Sequence, residues 1–416
     1  MSMPTRRSPP SSVMVLAEVG GPKRLLFVSN GSGEDSIAAE IIRRLPAGVI
    51  AEAYPTLGDG LAFRNVCPIV GPRARIASEG WRNVRGSVRR DLFSGSFSTV
   101  LPGLAFARRI RNHYDRIVVV GDLIGVAGCF VSGIGDIVYL DVYKTGYGRL
   151  YAAPERWLIH HTAATTFCRS ARLADCLSKR GLDARFAGNV MMDTISRGEY
   201  DMAARRTRPH AVALLPGSRQ FTVESFTLQV EAIRRLPEVK RPDLFLAAAG
   251  SISLEALARG AGLTIKGPIT GEAGDGGALV DEELTVHVGR GIAGNLIEGA
   301  DVVLSQAGTA TIQALGLGRP VLTFINRRDR RTRVRDESAL FGEARLVLDP
   351  DVAIVAGALE RLLDDPAERQ RLGTVGQTRI GGPGAIDQII TAILDCGPGS
   401  GKTSVVAAAS PAEVAS

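Results

Sequence analysis

The stretch DVVLSQAGTATIQALGLGRPVLTFI, residues 301–325, contains a strand, a turn, a helix and a second strand in succession. DVVLS is a short apolar run of the kind that is buried in a parallel sheet, and Gly308 follows it in a turn. A helical pattern opens at Thr309, and the apolar run RPVLTFI comes after it. Two parallel strands need a crossover of this kind, so the stretch predicts an α/β fold.

Similar apolar runs recur throughout the chain. The first half contains RLLFVS (24–29), RIVVVGD (116–122), DIVYLDV (136–142) and ARFAGN (184–189). The second half adds HAVALLPGS (210–218), DLFLAAAG (243–250) and LTVHVG (284–289). The runs are lost in the charged segment between the halves. This alternation predicts two Rossmann-like parallel-sheet domains that face a cleft.

The same patterns set the predicted boundaries. We expect a disordered leader, an N-terminal domain, a linker, a C-terminal domain, a C-terminal helix and a disordered tail, at 1–22, 23–190, 191–209, 210–380, 381–396 and 397–416. The tail GPGSGKTS resembles a phosphate-binding P-loop. However, the first glycine of that motif falls on Cys396, and no strand precedes it.

Composition narrows the class of protein. The chain is 45% hydrophobic and 22% charged, which is typical of a globular protein. It has no apolar stretch long enough to span a bilayer. The five cysteines form no CxxC pair and are odd in number, which argues against a disulfide framework and predicts a cytoplasmic protein.

The positive charge is concentrated in one segment. Between Arg73 and Arg116, ten arginines stand against three acids, and this excess equals the net charge of +7 of the whole chain. Apolar residues are interleaved with these arginines, which favours an anionic membrane surface as the partner. We expect no nucleic acid partner, since the segment lacks a recognition fold. The residues assigned to this surface are Trp81, Arg82, Arg85, Arg89 and Arg90.

Two turns of the second half are suited to phosphate. In LLPGSR (214–219), Gly217 turns the chain, Ser218 offers a hydroxyl and Arg219 supplies a planar cation. In the second turn, free N–H groups at a helix start can bind a pyrophosphate without a metal. The residues assigned there are Gln306, Gly308, Thr309 and Thr311, with Gln313 one turn further along for a ribose hydroxyl.

Two loops of the first half carry acids. The loop NGSGED nearly matches a dinucleotide fingerprint, but Glu34 and Asp35 would repel a pyrophosphate. The loop therefore suits a sugar hydroxyl, near Gly33, or a catalytic acid, Asp35. The run VVVGD delivers Asp122 to the edge of the first sheet as a candidate general base. For each of these acids, the alternative is an ordinary helix cap.

Two further patterns are weak evidence for a metal site. Asp349 and Asp351 resemble a metal-binding acid pair but precede a helix, which favours a cap. His160 and His161 are adjacent, so on a strand they would face opposite sides, and no second ligand pair has zinc spacing. We expect neither a metal nor a cofactor.

The second half resembles the lipid-A-disaccharide synthase family. The resemblance rests on LLPGSR, GNLIEGADVVLSQAGTATIQALGLGRPVL, LLDDPAERQRLG and GPGAIDQII, and it covers most of residues 205–395. It is weaker over 24–189, where NGSGED, VVVGD and GNVMMD are similar to family loops. Asn189 lies in the last of these and is assigned to donor binding. Two departures stand out: Gln313 replaces a family glutamate, and LIGVAGCF lacks a second acid.

The resemblance implies a GT-B fold and an inverting, metal-independent glycosyltransferase. We expect it to move an N-acetylglucosamine-type sugar from a UDP-sugar to a lipid-linked acceptor, on the inner face of the cytoplasmic membrane. Asp122 or Asp35 would be the base. The alternatives are a GT-B nucleotide-sugar epimerase, a non-catalytic nucleotide-sugar-binding protein, and a nicotinamide dehydrogenase. The last rests on the loop GSGEDS and on Glu52 as a ribose-binding acid.

Overall fold

The first domain is built on a six-stranded parallel sheet. The computed structural model describes residues 22–73, 96–148, 150–217, 221–250, 252–268, 273–325 and 331–395. The strands are β1 (Arg24–Ser29), β2 (Ile50–Pro55), β3 (Arg116–Gly121), β4 (Ile137–Asp141), β5 (Ala163–Phe167) and β6 (Ala184–Arg185). Their order in the sheet is β2-β1-β3-β4-β5-β6.

Helices cover both faces of this sheet because its strands are apolar on both sides. Leu25 and Phe27 of β1 belong to one buried cluster, and Leu26 and Val28 belong to another on the opposite face. The helices are α1 (Ser32–Arg43), α2 (Ser96–Ile110), α3 (Leu123–Val131), α4 (Ala153–Thr162) and α5 (Ala171–Ser178).

The second domain has an eight-stranded sheet in the order β14-β13-β12-β7-β8-β11-β10-β9. Its strands are β7 (Ala211–Leu215), β8 (Asp243–Ala247), β9 (Thr264–Lys266), β10 (Asp275–Val280), β11 (Thr285–Gly289), β12 (Val302–Ser305), β13 (Val321–Phe324) and β14 (Arg345–Leu348). β10 pairs antiparallel with both β11 and β9, at one side of a sheet whose other pairings are parallel. Asp281 makes the reversal, since its Oδ1 accepts from the backbone N–H groups of Glu283 and Leu284.

Seven helices of the described chain surround this sheet. They are α6 (Thr222–Arg234), α7 (Leu254–Ala261), α8 (Ala293–Gly299), α9 (Thr309–Gly316), α10 (Arg331–Phe341), α11 (Val352–Asp364) and α12 (Pro366–Ile380). Asp351 caps α11 by accepting from the N–H groups of Ala353 and Ile354, which confirms the cap reading of that acid.

The last described helix, α13 (Ala385–Asp395), returns to the first domain. Ile386, Ile389 and Ile393 are buried in the same cluster as Leu25 and Phe27. The start of α13 is fixed by Asp193, whose carboxylate accepts from Gly384 N at 2.6 Å and Ile386 N at 2.9 Å. The two domains are therefore joined twice, through the linker and through the segment before α13.

The prediction of two α/β domains with parallel sheets is confirmed. Residues 1–21 and 396–416, which contain the predicted leader and tail, lie outside the described residues. So do Trp81, Arg82, Arg85, Arg89 and Arg90. Among the helices that the structure describes, none is both long and apolar enough to cross a membrane.

Candidate functional site

The two domains enclose a cleft with a volume of about 720 Å³. Its walls come from the loops that follow β1, β4 and β5 in the first domain and β7, β8 and β12 in the second. These loops lie at the carboxyl ends of parallel strands, where open α/β sheets bind their ligands. The cleft is therefore the candidate site.

The two predicted phosphate turns lie side by side in this cleft. β7 and β12 are neighbours in the sheet, and Gln306 N donates to Leu215 O at 2.8 Å. Gly217 has a φ of +90°, a conformation that favours glycine, and a Cβ there would lie 3.3 Å from Gln306 O. The sharp turn at Gly217 thus lets the two loops approach each other. Ser218 and Arg219 lie outside the described residues.

The α9 turn presents an open surface to the cleft. Gly308 precedes α9, and both Gly308 and Thr309 line the cavity. A Cβ placed on Gly308 would meet nothing within 4 Å. Free N–H groups at the start of α9 and the absence of a side chain at Gly308 leave room for an anionic group.

Two side chains assigned to this turn also serve the fold. Thr311 lines the cleft but is buried, and its hydroxyl donates to Ala307 O at 2.6 Å, so a hydrogen bond from Thr311 to a ligand stays a prediction. Gln306 donates from Nε2 to Phe324 O at 2.6 Å, and its Oε1 accepts from Phe324 N at 3.3 Å. This amide fixes the loop against β13, while the residue still lines the cleft.

Gln313 and Asn189 meet at the interdomain turn. Gln313 is buried and donates from Nε2 to Met191 O at 3.0 Å. Asn189 is also buried, and its Oδ1 accepts from Met191 N at 3.1 Å. Both side chains therefore hold the segment that follows Asn189, where we predicted contacts with the donor. A ribose contact by Gln313 and a donor contact by Asn189 stay predictions.

The loop after β1 exposes a different acid from the one we selected. Gly33 and Glu34 line the cleft, whereas Asp35 is 4% exposed and accepts from Ser29 Oγ at 2.6 Å. Burial raises the pKa of Asp35 from 3.8 to about 6, with the Ser29 hydrogen bond opposing the rise and Glu34 adding to it. Its burial argues against Asp35 as the base that meets an acceptor.

Asp35 gives a testable dependence of stability on pH. The folded state holds the carboxyl proton of Asp35 more tightly than the unfolded chain does. The protonated group therefore contributes to the free energy of unfolding below pH 3.8, and this contribution is lost as pH rises through about 6. The full loss of stability is about 2–3 kcal/mol. We expect Asp35→Asn to gain stability relative to the wild type between pH 4 and pH 7.5, measured by urea unfolding. The exposed Glu282→Gln is the control and should show no such gain.

Asp122 is held rigidly at the end of β3. Its Oδ1 accepts from Asn30 Nδ2 at 2.7 Å and from Ile124 N at 2.9 Å, so it also caps α3. Gly121 has a φ of +147°, and a Cβ there would lie 2.1 Å from Asn30 Oδ1. Only glycine therefore permits the approach of Asn30. β3 lies between β1 and β4 in the sheet. Glu34, which comes after β1, and Val142, which comes after β4, both line the cleft.

Two charged residues that the sequence analysis did not select lie at the same edge of the first sheet as Asp122. Asp141 ends β4 and is buried, and its carboxylate accepts from Tyr151 Oη at 2.7 Å and from Tyr143 N at 2.8 Å. Burial raises its pKa, while these donors and the charge of Arg169 lower it. Arg169 follows β5 and lines the cleft. Asp141 stands at a strand end in DIVYLDV, and Arg169 follows a strand end in ATTFCRS. These positions are the signal in the sequence that could have identified both residues.

The described residues give no support for a histidine metal site or for Glu52 as a ribose-binding acid. His160 and His161 lie in the last turn of α4, not on a strand, and are exposed. Glu52 accepts from the Tyr114 hydroxyl and lies 3.8 Å from Arg24, so its carboxylate is already engaged. Within the described ranges, no group of three or more His, Cys, Asp or Glu residues is arranged to hold a metal.

Comparison with solved structures identifies this architecture. The chain superposes on a Staphylococcus aureus MnaA–UDP complex with a TM-score of 0.57 at 14% identity, covering 89% of this chain and 96% of the other. A UDP-GlcNAc 2-epimerase from Neisseria meningitidis bound to UDP-GlcNAc gives 0.55 at 11%, covering 89% and 99%. The calicheamicin glycosyltransferase CalG4 gives 0.55 at 16%, covering 89% and 98%. The fold is GT-B.

Sequence comparison finds a relative that matches part of the chain. A lipid-A-disaccharide synthase from Xanthomonas oryzae pv. oryzae is 28% identical over 190 residues. The match covers 41% of this chain and 40% of the relative, so it spans less than half of either protein. No protein-family model matches the chain.

Proposed function

We propose that this chain is an inverting, metal-independent glycosyltransferase. It takes an N-acetylglucosamine-type sugar from a UDP-sugar and transfers it to a lipid-linked acceptor. The observation that carries the proposal is the pair of phosphate-type turns, at Gly217 and Gly308, side by side in a cleft that the first domain closes with Glu34 and Arg169. Relatives named for UDP-sugars and for a lipid-A-disaccharide synthase support it.

The proposed reaction assigns one task to each domain. The diphosphate of the donor binds at the start of α9 and at Arg219, which stabilise the negative charge that develops as it leaves. An acceptor hydroxyl attacks the anomeric carbon, the bond from that carbon to the UDP oxygen breaks, and the carboxylate of Asp122 takes the hydroxyl proton. The products are the inverted glycoside and UDP.

The acceptor and the location belong to the proposal as well. A lipid-linked acceptor would bring the protein to the inner face of the cytoplasmic membrane, where anionic phospholipids attract arginines. The basic segment between Arg73 and Arg116 supplies such residues, including Arg82, Arg85, Arg89 and Arg90. Its apolar residues, among them Trp81, suit the headgroup layer.

Donor binding by Arg219 is the first test. Arg219→Ala removes a charged hydrogen bond, so we expect UDP to bind about 1.5–3 kcal/mol more weakly, measured by calorimetry. EDTA should leave turnover unchanged, because the proposed charge stabilisation comes from α9 and Arg219. Equal UDP affinity in the variant, or activity that magnesium restores after chelation, would remove the assignment.

An epimerase is the second candidate, because one of the compared GT-B structures is a UDP-GlcNAc 2-epimerase bound to UDP-GlcNAc. The two functions differ in one requirement. An epimerase consumes UDP-N-acetylglucosamine alone, whereas the proposed transferase releases UDP only when an acceptor is present. Incubation with the donor in the absence and presence of lipid acceptor, followed by analysis of the sugar product, distinguishes them. Binding without turnover in both cases would indicate a non-catalytic protein.

A further inference from the structure

Helix α3 has an apolar face that no described part of the chain covers. Its sequence, LIGVAGCFV, contains no charged residue. Ile124 and Val131 are 53% and 52% exposed and, being seven residues apart, lie on the same side of the helix. Val126 and Cys129 are buried against the sheet. An isolated exposed apolar residue is common, but a whole helix face without charge needs an explanation.

The neighbouring helix α4 extends this face. Trp157 is 52% exposed, and its ring meets that of Phe130 at 5.4 Å in an edge-to-face arrangement. The ring centroids of His161 and Trp157 lie 4.3 Å apart. An exposed tryptophan beside a second exposed aromatic ring is suited to an interface that is apolar on one side and wet on the other. We call Ile124, Phe130, Val131 and Trp157 the α3–α4 face.

Arginines border the face at the end of α3. Arg108 of α2 is exposed and donates to Val131 O at 3.3 Å. Arg111 is also exposed, and its Nη1 lies 3.7 Å from the position that a Cβ on Gly133 would take. Glu155, the acid of α4, forms an ion pair with Lys144, whose Nζ lies 3.2 Å from Glu155 Oε2. This end of the face is therefore cationic, which matches an anionic surface.

The other end of α3 begins at the candidate base. Asp122 caps the N-terminus of the helix, so the apolar face extends away from this candidate base over the nine residues of α3. We propose that the α3–α4 face docks onto an anionic lipid bilayer, with its apolar side chains in the headgroup layer and Arg108 and Arg111 on lipid phosphates. The inference rests on the proposed function and names the surface by which a lipid-linked acceptor would reach Asp122.

The chemistry of the face favours lipid over a second copy of the chain. A second copy would offer these arginines no acid from α3, and the one acid of α4, Glu155, is paired with Lys144, whereas anionic headgroups neutralise them. Apolar side chains flanked by arginines are also the pattern of peptides that lie in the plane of a membrane. A dimer that buries Trp157 without vesicles is one outcome of the test.

The test uses the full chain and vesicles of phosphatidylcholine with and without phosphatidylglycerol. We expect salt-sensitive pelleting with the anionic vesicles, weakened at least tenfold by Val131→Glu or Trp157→Glu. Val239→Glu is the matched control, since Val239 is 91% exposed on the second domain. It should pellet as the wild type does. Thermal melting shows that each variant is folded, and UDP binding without vesicles shows that the cleft is intact.

Fluorescence locates the contact. The chain has two tryptophans, and Trp81→Phe leaves Trp157 as the reporter. Its emission should shift to the blue, and acrylamide should quench it less, when anionic vesicles are added. Unchanged quenching, or pelleting that is lost in Arg82, Arg85, Arg89 and Arg90 variants but kept in Val131→Glu and Trp157→Glu, would overturn the proposal. So would a dimer that protects Trp157 without lipid. UDP binding would survive each of these results, so the proposed function is tested separately.

Discussion

Replacing Asp122 by asparagine is expected to lower turnover by roughly 10²- to 10⁴-fold while UDP binds as before. The amide keeps the shape of the side chain, and its oxygen can still accept from Asn30 Nδ2 and Ile124 N, which donate at 2.7 and 2.9 Å. It cannot take the proton of an acceptor hydroxyl at neutral pH. The loss should therefore appear in kcat, measured with donor and acceptor at saturation.

Asp35→Asn is the comparison for this experiment. Asp35 is buried and bonded to Ser29, so its substitution should affect stability more than turnover. If Asp122→Asn turns over normally and Asp35→Asn does not, the assignment of the base is reversed. If both variants are fully active, Glu34 is the next candidate, because it is the acid of that loop that lines the cleft.

A side chain at Gly308 is expected to block the donor without disturbing the fold. Gly308 has a φ of −83°, which any residue adopts, and a Cβ there meets no atom within 4 Å. Gly308→Leu therefore projects into the cleft at the start of α9. Forcing apolar atoms into a fitted site costs about 1–3 kcal/mol, so UDP should bind roughly 5- to 150-fold more weakly. Calorimetry measures the affinity.

Gly357→Leu is the matched control for steric effects. Gly357 lies on α11, and a Cβ there also meets no atom within 4 Å. It is not among the residues that line the cleft, so UDP should bind to this variant as to the wild type. A Gly308→Leu protein with the wild-type melting temperature and unchanged UDP affinity would show that the donor does not use the start of α9.

The fold was predictable where a strand is buried on both faces. RLLFVS and RIVVVG read as continuous apolar runs because helices cover both sides of the sheet, and they form β1 and β3. IAEAYP was missed because β2 is an edge strand whose first residue is exposed and whose next two are only partly buried. DGGALV was missed because two glycines weaken the strand signal of β10. Neither strand has a continuous apolar run.

The candidate site was predictable as a set of loops but not as a set of side chains. The turns at Gly217 and Gly308 line one cleft, as two strand ends of one sheet must. Glu34 and Asp35 are adjacent, yet about 100° of helix rotation leaves Glu34 half-buried at the cleft and buries Asp35. The Gln306 side chain bonds to Phe324, a partner that only the strand order reveals. The direction in which a side chain points and the partner to which it bonds depend on tertiary contacts.

The return of α13 to the first domain determines the order in which the protein can be completed during synthesis. Ile386, Ile389 and Ile393 leave the ribosome after the whole second domain, yet they cover the same core as Leu25 and Phe27. Until then the nascent first domain exposes that apolar surface, which is the condition under which chaperones bind. A fragment cut at the linker would keep the surface uncovered. The domain that is translated first is therefore the last to be finished, and an exchange of halves between relatives must carry α13 with the N-terminal half.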